Sequence, residues 1–258
     1  MDIIALLLGS VIGTTFISGV LSVGGGTILM GIFGWVLPIS QAMILHGVTQ
    51  MASNGSRALL NWRHIQWGVL RGYFLGSGVC LAVLLWFVFV PNKILLFLLL
   101  GLMPFVNFLL PRGKALDINK PWMPTLCGVL TTGCLISSGV SGPLLDVFYV
   151  KTDLTRYQIH ATKGLTQTFG HIIKIGYFMS VIELANTEGS YLPWWVYAAV
   201  VPIAFAGTWL ARHVLHLISD VHFRAATQYV TMLIGVIFLS RAAALMFATA
   251  EAAPAVGN

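Results

Sequence analysis

Apolar stretches of about the length of a membrane-spanning helix recur along the whole chain, with polar residues gathered between them. A hydrocarbon layer about 30 Å thick is crossed by a helix of about 20 mostly apolar residues. Eight stretches approach this length, at residues 3–21, 41–61, 66–90, 93–110, 122–138, 157–181, 193–215 and 225–248. The pattern therefore predicts an all-α polytopic membrane protein.

Two shorter apolar stretches, 27–37 and 143–150, remain outside these eight. Each follows a break rich in glycine and serine, at residues 22–26 and 137–143. We expect each short stretch to be the second arm of a broken or re-entrant hairpin. The sequence leaves open whether that arm crosses the membrane fully or only enters it.

The lysines and arginines between the apolar stretches indicate how often the chain changes side. If neither short stretch carries the chain back to the side it came from, these cations divide 6 against 5 between the two faces of the membrane and indicate no orientation. If each short stretch returns, Lys93 and Arg241 lie on one face and the other nine on the opposite face, namely Arg63, Arg71, Arg112, Lys114, Lys120, Lys151, Arg156, Arg212 and Arg224. Because cytoplasmic loops carry an excess of cations, we expect the second arrangement, with both termini outside.

The two halves of the chain repeat each other at an offset of 117 residues, since Gly47–Gln50 recurs as Gly164–Gln167. Four further pairs coincide at this offset: His46 with Lys163, Asn54 with His171, Arg57 with Lys174, and Gly25 with Gly142. A hairpin plus three transmembrane helices gives each half an odd number of crossings, which predicts two inverted repeats of the kind found in secondary transporters. We place the first repeat at 1–110, a polar linker at 111–121 and the second repeat at 122–258.

The composition agrees with lipid surroundings and excludes several classes of protein. Hydrophobic residues make up 57% of the chain and charged residues 9%, whereas a soluble domain has about 25% charged residues. The net charge of +6 is dispersed among apolar stretches, so no nucleic-acid surface is expected. The sequence has no metalloprotease, Walker or nucleophile-elbow motif, so we expect neither an enzyme nor a cofactor. We interpret the loop group His213, His216, Asp220 and His222 as part of a cationic face rather than as a metal site.

Two of the predicted membrane helices carry stripes of polar residues. His46, Gln50, Ser53 and Arg57 are spaced by 4, 3 and 4 residues and therefore share one helix face. The equivalent stripe of the second half consists of Arg156, His160, Lys163, Gln167, His171 and Lys174. Neither stripe carries a carboxylate. Because buried charges need partners, the missing counter-charge indicates an anionic ligand.

Structural explanations remain open for some of these residues. Arg57 and Lys174 lie near helix ends, where long side chains can extend to the membrane interface. The histidines could be hydrogen-bonded core residues, and Gln50 and Gln167 could connect helices. Lys163 lies well inside its helix and is the strongest candidate for a ligand site.

The two glycine-rich breaks are expected to complete an anion site. Glycines let the backbone approach a ligand closely, and a helix that begins after them presents unpaired N–H groups. Asp146 could carry a proton, pair with Lys163 or cap the short helix. Since histidine titrates near neutral pH, His46 and His171 join Asp146 as candidates for proton coupling. The predicted substrate-binding residues are Gly24, Gly25, Gly26, Thr27, His46, Thr49, Gln50, Ser138, Gly139, Ser141, Gly142, Lys163, Thr166 and Gln167.

The first break reads LSVGGGTIL over Leu21–Leu29 and is followed by Pro38, Gln41 and Ala42. These motifs resemble the TauE/SafE sulfite exporter family, and the similarity covers nearly the whole chain. The second break departs from the family, since Gly139–Pro143 reads GVSGP where members tend to repeat the glycine triplet. The resemblance implies a multi-span secondary transporter of sulfur-containing anions in the bacterial inner membrane.

Together, the residues and the resemblance predict a secondary transporter of a small sulfur-containing oxyanion, sulfite or a short organosulfonate, that works by alternating access. The alternatives are an anion channel and a transporter of another small carboxylate-type anion. An intramembrane enzyme would need a nucleophile and a base, for which Ser141 and His171 are the one available pair. The expected partners are the anion and the lipid bilayer; proton coupling and a homo-oligomer are left open.

Overall fold

The computed structural model of the chain describes residues 3–21, 24–106, 116–149, 152–184, 191–215 and 220–251. Within these residues it has ten α-helices, two short 3-10 helices and no β-strand, so the all-α prediction is confirmed for the described part of the chain. Several sequence features lie outside the described residues, namely Ser22, Val23, residues 111–115 of the linker, Lys151, His216 and both termini.

Each long apolar stretch of the sequence corresponds to one helix, and the two short stretches correspond to α2 and α7. The 3-10 helices, Trp62–His64 and Met103–Phe105, follow α3 and α5. The α-helices are α1 (Ile3–Leu21), α2 (Gly25–Val36), α3 (Ile39–Leu60), α4 (Trp67–Trp86), α5 (Lys93–Leu102), α6 (Met123–Ser138), α7 (Gly142–Val147), α8 (Arg156–Leu184), α9 (Trp194–Leu215) and α10 (Asp220–Glu251).

Three of the described helices contain a segment that is both long enough and apolar enough to cross a membrane. These segments are Trp67–Trp86 in α4, Trp194–Ala211 in α9 and Tyr229–Ala250 in α10. The apolar segments Ile3–Ser18 in α1, Gly25–Val36 in α2, Lys93–Phe105 in α5 and the 3-10 helix after it, and Met123–Ser138 in α6 are shorter. Helices α3 and α8 are long but carry the polar stripes. The described helices therefore indicate a membrane protein, while the full number of crossings stays a prediction.

Both glycine-rich breaks contain a glycine in the left-handed region, where other residues are disfavoured. Gly24 precedes α2 with φ of 86°. Gly139 caps the end of α6 with φ of 79°, and its N–H donates to the carbonyl of Leu135 at 2.8 Å. The 12 residues of α2 and the 6 of α7 rise by about 18 and 9 Å, so neither helix alone crosses a 30 Å layer.

Helices α3 and α8 form the most extensive helix contact in the described structure, and they run antiparallel. A Cβ at Gly47 would lie 2.7 Å from Ile175, whereas one at Gly164 would lie 3.1 Å from the backbone N of Ala58. As residue numbers rise along α3, those of the contacts on α8 therefore fall. Small residues at these points let the two backbones approach closely, as is common for helices packed in membranes.

Three further helix pairs surround this contact: α4 with α6, α1 with α9, and α5 with α10. A Cβ at Gly76 would overlap the carbonyl of Thr125, and one at Gly128 would overlap that of Tyr73, so α4 and α6 touch backbone to backbone. Suppose that each helix of the first half is exchanged for its equivalent in the second half, α1 for α6 and so on to α5 for α10. The α4–α6 pair then becomes the α9–α1 pair. The same exchange maps the α3–α8 and α5–α10 pairs onto themselves.

The buried apolar residues form two clusters. The larger one joins α2, α3, α5 and α8 through side chains such as Phe33, Met43, Phe97 and Phe178. The smaller one lies where α4, α6 and α7 meet, and includes Tyr73 and Leu145. These clusters hold α3 and α8 in place beside the two glycine breaks.

Candidate anion-binding site

A cavity of about 120 Å³ lies between α3, α8 and the two glycine breaks. A single buried water needs about 10–15 Å³ measured in this way, so the space can hold a small polyatomic ion. Most of its lining is polar. The lining residues are Ser18, Gly24, Gly26, Thr27, His46, Gln50, Asn54, Arg57, Val140, Ser141, Gly142, Pro143, Asp146, Lys163, Gln167 and His171.

The side-chain amides of Gln50 and Gln167 each face a glycine of one break. A Cβ at Gly26 would lie 3.3 Å from Nε2 of Gln50, and a Cβ at Gly142 would lie 3.3 Å from Nε2 of Gln167. Both glutamines occupy the twelfth position of their helices, because α3 begins at Ile39 and α8 at Arg156. The two halves therefore bring equivalent hydrogen-bonding groups to the same cavity.

The cationic side of the cavity contains Lys163 and Arg57. Lys163 forms an ion pair with Asp146, which follows the second break on α7. The side chains of this pair are 23% and 38% exposed, so both groups remain accessible from the cavity. Arg57 lines the same cavity, and its guanidinium donates to Ser53 Oγ at 3.3 Å. Of the three roles open for Asp146 in the sequence, the structure shows the pairing with Lys163.

Deeper in the protein, a chain of hydrogen bonds connects the two breaks through His46 and Lys174. His46 Nε2 lies 2.9 Å from the carbonyl O of Gly26, and its Nδ1 lies 2.8 Å from Lys174 Nζ. Lys174 also donates to the carbonyl O of Gly139 at 3.1 Å. Lys174 is 0% exposed, so it does not extend to the membrane interface, which was one of the two explanations open from the sequence.

His171 lies next to this chain, and its ring centroid is 5.6 Å from that of His46. The residue is 4% exposed, and its Nδ1 is buried without a hydrogen-bond partner in the described structure. Buried polar atoms are nearly always hydrogen-bonded, to protein or to bound molecules. Because His171 also lines the cavity, its free nitrogen is available to an occupant of that space.

The profile of the sulfite exporter TauE/SafE family matches residues 5–238 of the 258. The chain belongs to this family. This finding confirms the resemblance found at the glycine breaks, and the family is one of membrane transporters rather than enzymes. No curated protein and no solved structure gives a significant match to the chain.

Nine of the 14 predicted binding residues of this TauE/SafE chain line the cavity, as do all three candidates for proton coupling. The five that do not line it hold the structure around it. The hydroxyls of Thr49 and Thr166 donate to carbonyls of their own helices, those of Leu45 and Lys163, as threonine commonly does inside helices.

The other three are break residues that pack against neighbouring helices. Ser138 donates to the carbonyls of Cys134 and Val140 at 2.9 Å. A Cβ at Gly25 would overlap Ser18 on α1, and one at Gly139 would lie 2.5 Å from Met30 Sδ on α2. All three residues lie in the breaks, and none of them lines the cavity.

Asn54 and Arg57 line the cavity although neither was among the predicted binding residues. Arg57 belongs to the polar stripe of α3, and Asn54 lies on the same side of the helix, four residues after Gln50. The helical period alone would have included Asn54, which is also the repeat equivalent of His171. Ser18, which lines the cavity from α1, carries no sequence signal, because the approach of α1 to the site is a tertiary contact.

In the described part of the TauE/SafE chain, no three or more histidine, cysteine or carboxylate side chains are placed to hold a metal ion. His213 lies on α9, where its Nδ1 is 3.1 Å from the carbonyl O of Trp209. His216 and the side chains of Asp220 and His222 lie outside the described part of the chain.

Proposed function

We propose that this chain is a secondary transporter of a small sulfur-containing oxyanion, sulfite or a short organosulfonate, in the bacterial inner membrane. The observation that carries the proposal is the convergence of Lys163, Arg57 and two glutamine amides on one cavity beside both glycine breaks. A cavity with more cations than carboxylates, inside a protein that has so few charges, favours an anionic occupant. The family adds sulfur-containing anions as the substrate class.

We place the anion between the first break and the second. On the first side, α2 begins after Gly24 and is 12 residues long, so its first N–H groups and its dipole can stabilise negative charge. On the second side, α7 has only 6 residues, and the hydroxyl of Ser141 and the backbone near Gly142 take the larger share. The glycines keep both backbones accessible.

The side-chain roles follow from what each group already bonds. Lys163 supplies charge, because the anion can replace Asp146 as its partner. Gln50 and Gln167 donate hydrogen bonds from opposite halves. Both ring nitrogens of His46 are already engaged, so His46 acts on the anion through its neighbours, and His171 is the histidine with a free nitrogen. His46, His171 and Asp146 are the proposed proton-coupling groups.

Alternating access follows from the two inverted repeats, each a broken hairpin plus three helices. Three observations support this architecture. Equivalent helices of the two halves begin 117 positions apart: α2 at Gly25 and α7 at Gly142, and α3 at Ile39 and α8 at Arg156. The equivalent helices α3 and α8 run antiparallel, and the main helix contacts map onto one another when the halves are exchanged. In such transporters one repeat moves against the other around a central site.

The orientation is proposed from the loop cations, nine on one face and two on the other. The cation-rich face is placed inside, with both termini outside.

The test is binding of a panel of anions to the purified protein, namely sulfite, thiosulfate, sulfoacetate, taurine, sulfate and acetate, by thermal shift and calorimetry. We expect one sulfur oxyanion to stabilise the protein, and Lys163→Met to abolish that stabilisation while the variant still folds. The matched control is Lys120→Met, which removes an exposed lysine outside the cavity lining. A panel without any response in the wild type would contradict the proposal.

A second measurement separates a transporter from a channel. Flux of the bound anion into proteoliposomes should saturate with concentration and should be accelerated by the same anion on the opposite side. Flux that rises linearly and shows no exchange would favour the channel instead.

A further inference from the structure

Lys174 is a buried amine whose role the proposed anion site does not yet explain. It is 0% exposed, and its polar partners are His46 Nδ1 at 2.8 Å and the carbonyl O of Gly139 at 3.1 Å. Among the described residues, the ion pair between Lys163 and Asp146 is the only one found. A buried ammonium without a counter-charge is costly, so the charge of Lys174 depends on what lies nearby.

The hydrogen-bond directions define the protonation states that this arrangement allows. The carbonyl of Gly26 can only accept, so Nε2 of His46 carries a hydrogen and donates to it. Nδ1 of the neutral ring then directs its lone pair at Lys174 Nζ. A neutral amine has two hydrogens, one for His46 and one for Gly139, and still keeps a lone pair. The pair can therefore bind one more proton without any heavy atom changing partner.

The groups around this pair are poor in negative charge. His46 faces Lys174 from α3, His171 lies beside it on α8, and the second break contributes only a carbonyl. Farther out in the cavity, Asp146 is paired with Lys163, and Arg57 adds a second cation. An empty cavity therefore offers no counter-charge for an additional proton, whereas an anion in it does.

We propose that His46 and Lys174 form a one-proton site that is loaded when an anion enters the cavity. This inference rests on the proposed anion site. In the loading step a proton from water adds to the Nζ lone pair, giving an ammonium, and no other bond breaks. Because the two events stabilise each other, anion binding and proton uptake are linked reciprocally.

Loading also reaches both glycine breaks. His46 is bonded to Gly26 and Lys174 to Gly139, and hydrogen bonds from charged donors are roughly twice as strong as neutral ones. A proton on the pair therefore tightens its bond to the second break and polarises its bond to the first. In this way, the presence of an anion in the cavity changes the hydrogen bonding of both glycine breaks, which lie near the beginning of each half of the protein.

The experiment measures protons and anion binding together. The full chain, purified in detergent, is mixed with sulfoacetate in weakly buffered solution near pH 7.5 with a pH-indicator dye, and calorimetry gives the bound fraction. Sulfoacetate suits this purpose because it is fully ionised in the neutral range, so any proton change arises from the protein. We expect the wild type to take up about one proton per bound anion.

Two variants at position 174 separate the roles of charge and proton. Lys174→Met should lose the uptake and bind the anion at least tenfold more weakly, about 1.4 kcal/mol. Lys174→Arg keeps a positive charge that is not released near neutral pH, so it should bind the anion without uptake. Lys120→Met, which changes an exposed lysine outside the cavity lining, should behave as the wild type does.

Two further results would overturn the inference even if the position 174 variants failed to fold. One is anion binding to the wild type without proton uptake. The other is loss of proton uptake in Asp146→Asn, a change at a partly exposed side chain, because that loss would assign the proton to the carboxylate. Retained uptake in Asp146→Asn supports the His46–Lys174 pair. Proton uptake with sulfoacetate decides the inference even if the wild type binds no other anion of the panel. If it binds no anion at all, the proposed function itself fails.

Discussion

The two lysines of α8 show how differently one helix face can use the same side chain. Lys163 and Lys174 are three turns apart, so they share a face. Lys163 lines the cavity, is 23% exposed and pairs with a carboxylate. Lys174 is 0% exposed and is held by a histidine and a backbone carbonyl. Lys163 can exchange its partner for a ligand, whereas the amine of Lys174 is bonded only to groups of the protein.

The largest expected effect comes from reversing the accessible charge. Lys163→Asp would place two carboxylates in the cavity, so we expect anion transport in proteoliposomes to fall by about 100-fold. The double variant Lys163→Asp with Asp146→Lys restores the net charge and should recover much of the rate. If the double variant is as inactive as the single one, position rather than charge decides the role of Lys163.

The next effect concerns the carbonyl that holds the buried lysine. Gly139 has φ of 79°, and a Cβ there would lie 2.5 Å from Met30 Sδ. Gly139→Ala should therefore lower the free energy of unfolding by about 2 kcal/mol. The matched control is Gly133→Ala on the same helix, where the new Cβ would make an ordinary contact at 3.5 Å with Cys80 Sγ. Equal stability of the two variants would show that the second break tolerates rearrangement.

A smaller effect is expected where glycines face the glutamine amides. Gly26→Ala and Gly142→Ala each place a Cβ 3.3 Å from a glutamine Nε2, which must shift by a few tenths of an ångström. We expect each variant to weaken anion binding about three- to fivefold, within 1 kcal/mol, as measured by calorimetry. Gly78→Ala on α4, whose Cβ would meet nothing within 4 Å, should leave affinity unchanged. Unchanged affinity in both cavity variants would separate the glutamines from the anion.

The smallest effect is the strength of the accessible ion pair itself. A double-mutant cycle with Lys163→Met and Asp146→Asn should give a coupling free energy of about 0.5 kcal/mol, because both side chains are partly exposed. Measuring unfolding without any anion keeps ligand binding out of the result. A coupling of several kcal/mol would show that the pair, like Lys174, is held within the protein rather than open to a ligand.

Much of the helical framework could be predicted from the sequence, because the local composition of a membrane helix is enough to recognise it. The ends of α1 and α9 agree with the predicted stretches to within one residue. The short helix after the second break was less well predicted, since α7 ends at Val147 rather than continuing to 150. Apolar character indicates burial in lipid or protein, but it does not fix where a short helix stops.

The candidate site was predictable where residues lie on helical stripes and less so where tertiary contacts decide. The helical period places Gln50 and Gln167 on the polar stripes of α3 and α8, and the structure brings them to one cavity. The same period cannot show that Lys174 bonds His46, because that contact joins residues 128 positions apart. Nor can the period show that Thr49 and Thr166 direct their hydroxyls to carbonyls of their own helices. A threonine in a helix can either bond to its own helix in this way or direct its hydroxyl outward.

The polarity of α8 also bears on how the protein is assembled in the membrane. Each lysine near the centre of a helix opposes insertion by about 2.5–3.5 kcal/mol, and α8 carries Lys163 and Lys174. Its favourable partners are on α3 and α7, which are synthesised earlier. We therefore expect α8 to enter the bilayer stably only after α3 is there to receive Lys174, so that the first half of the chain would assist the insertion of the second.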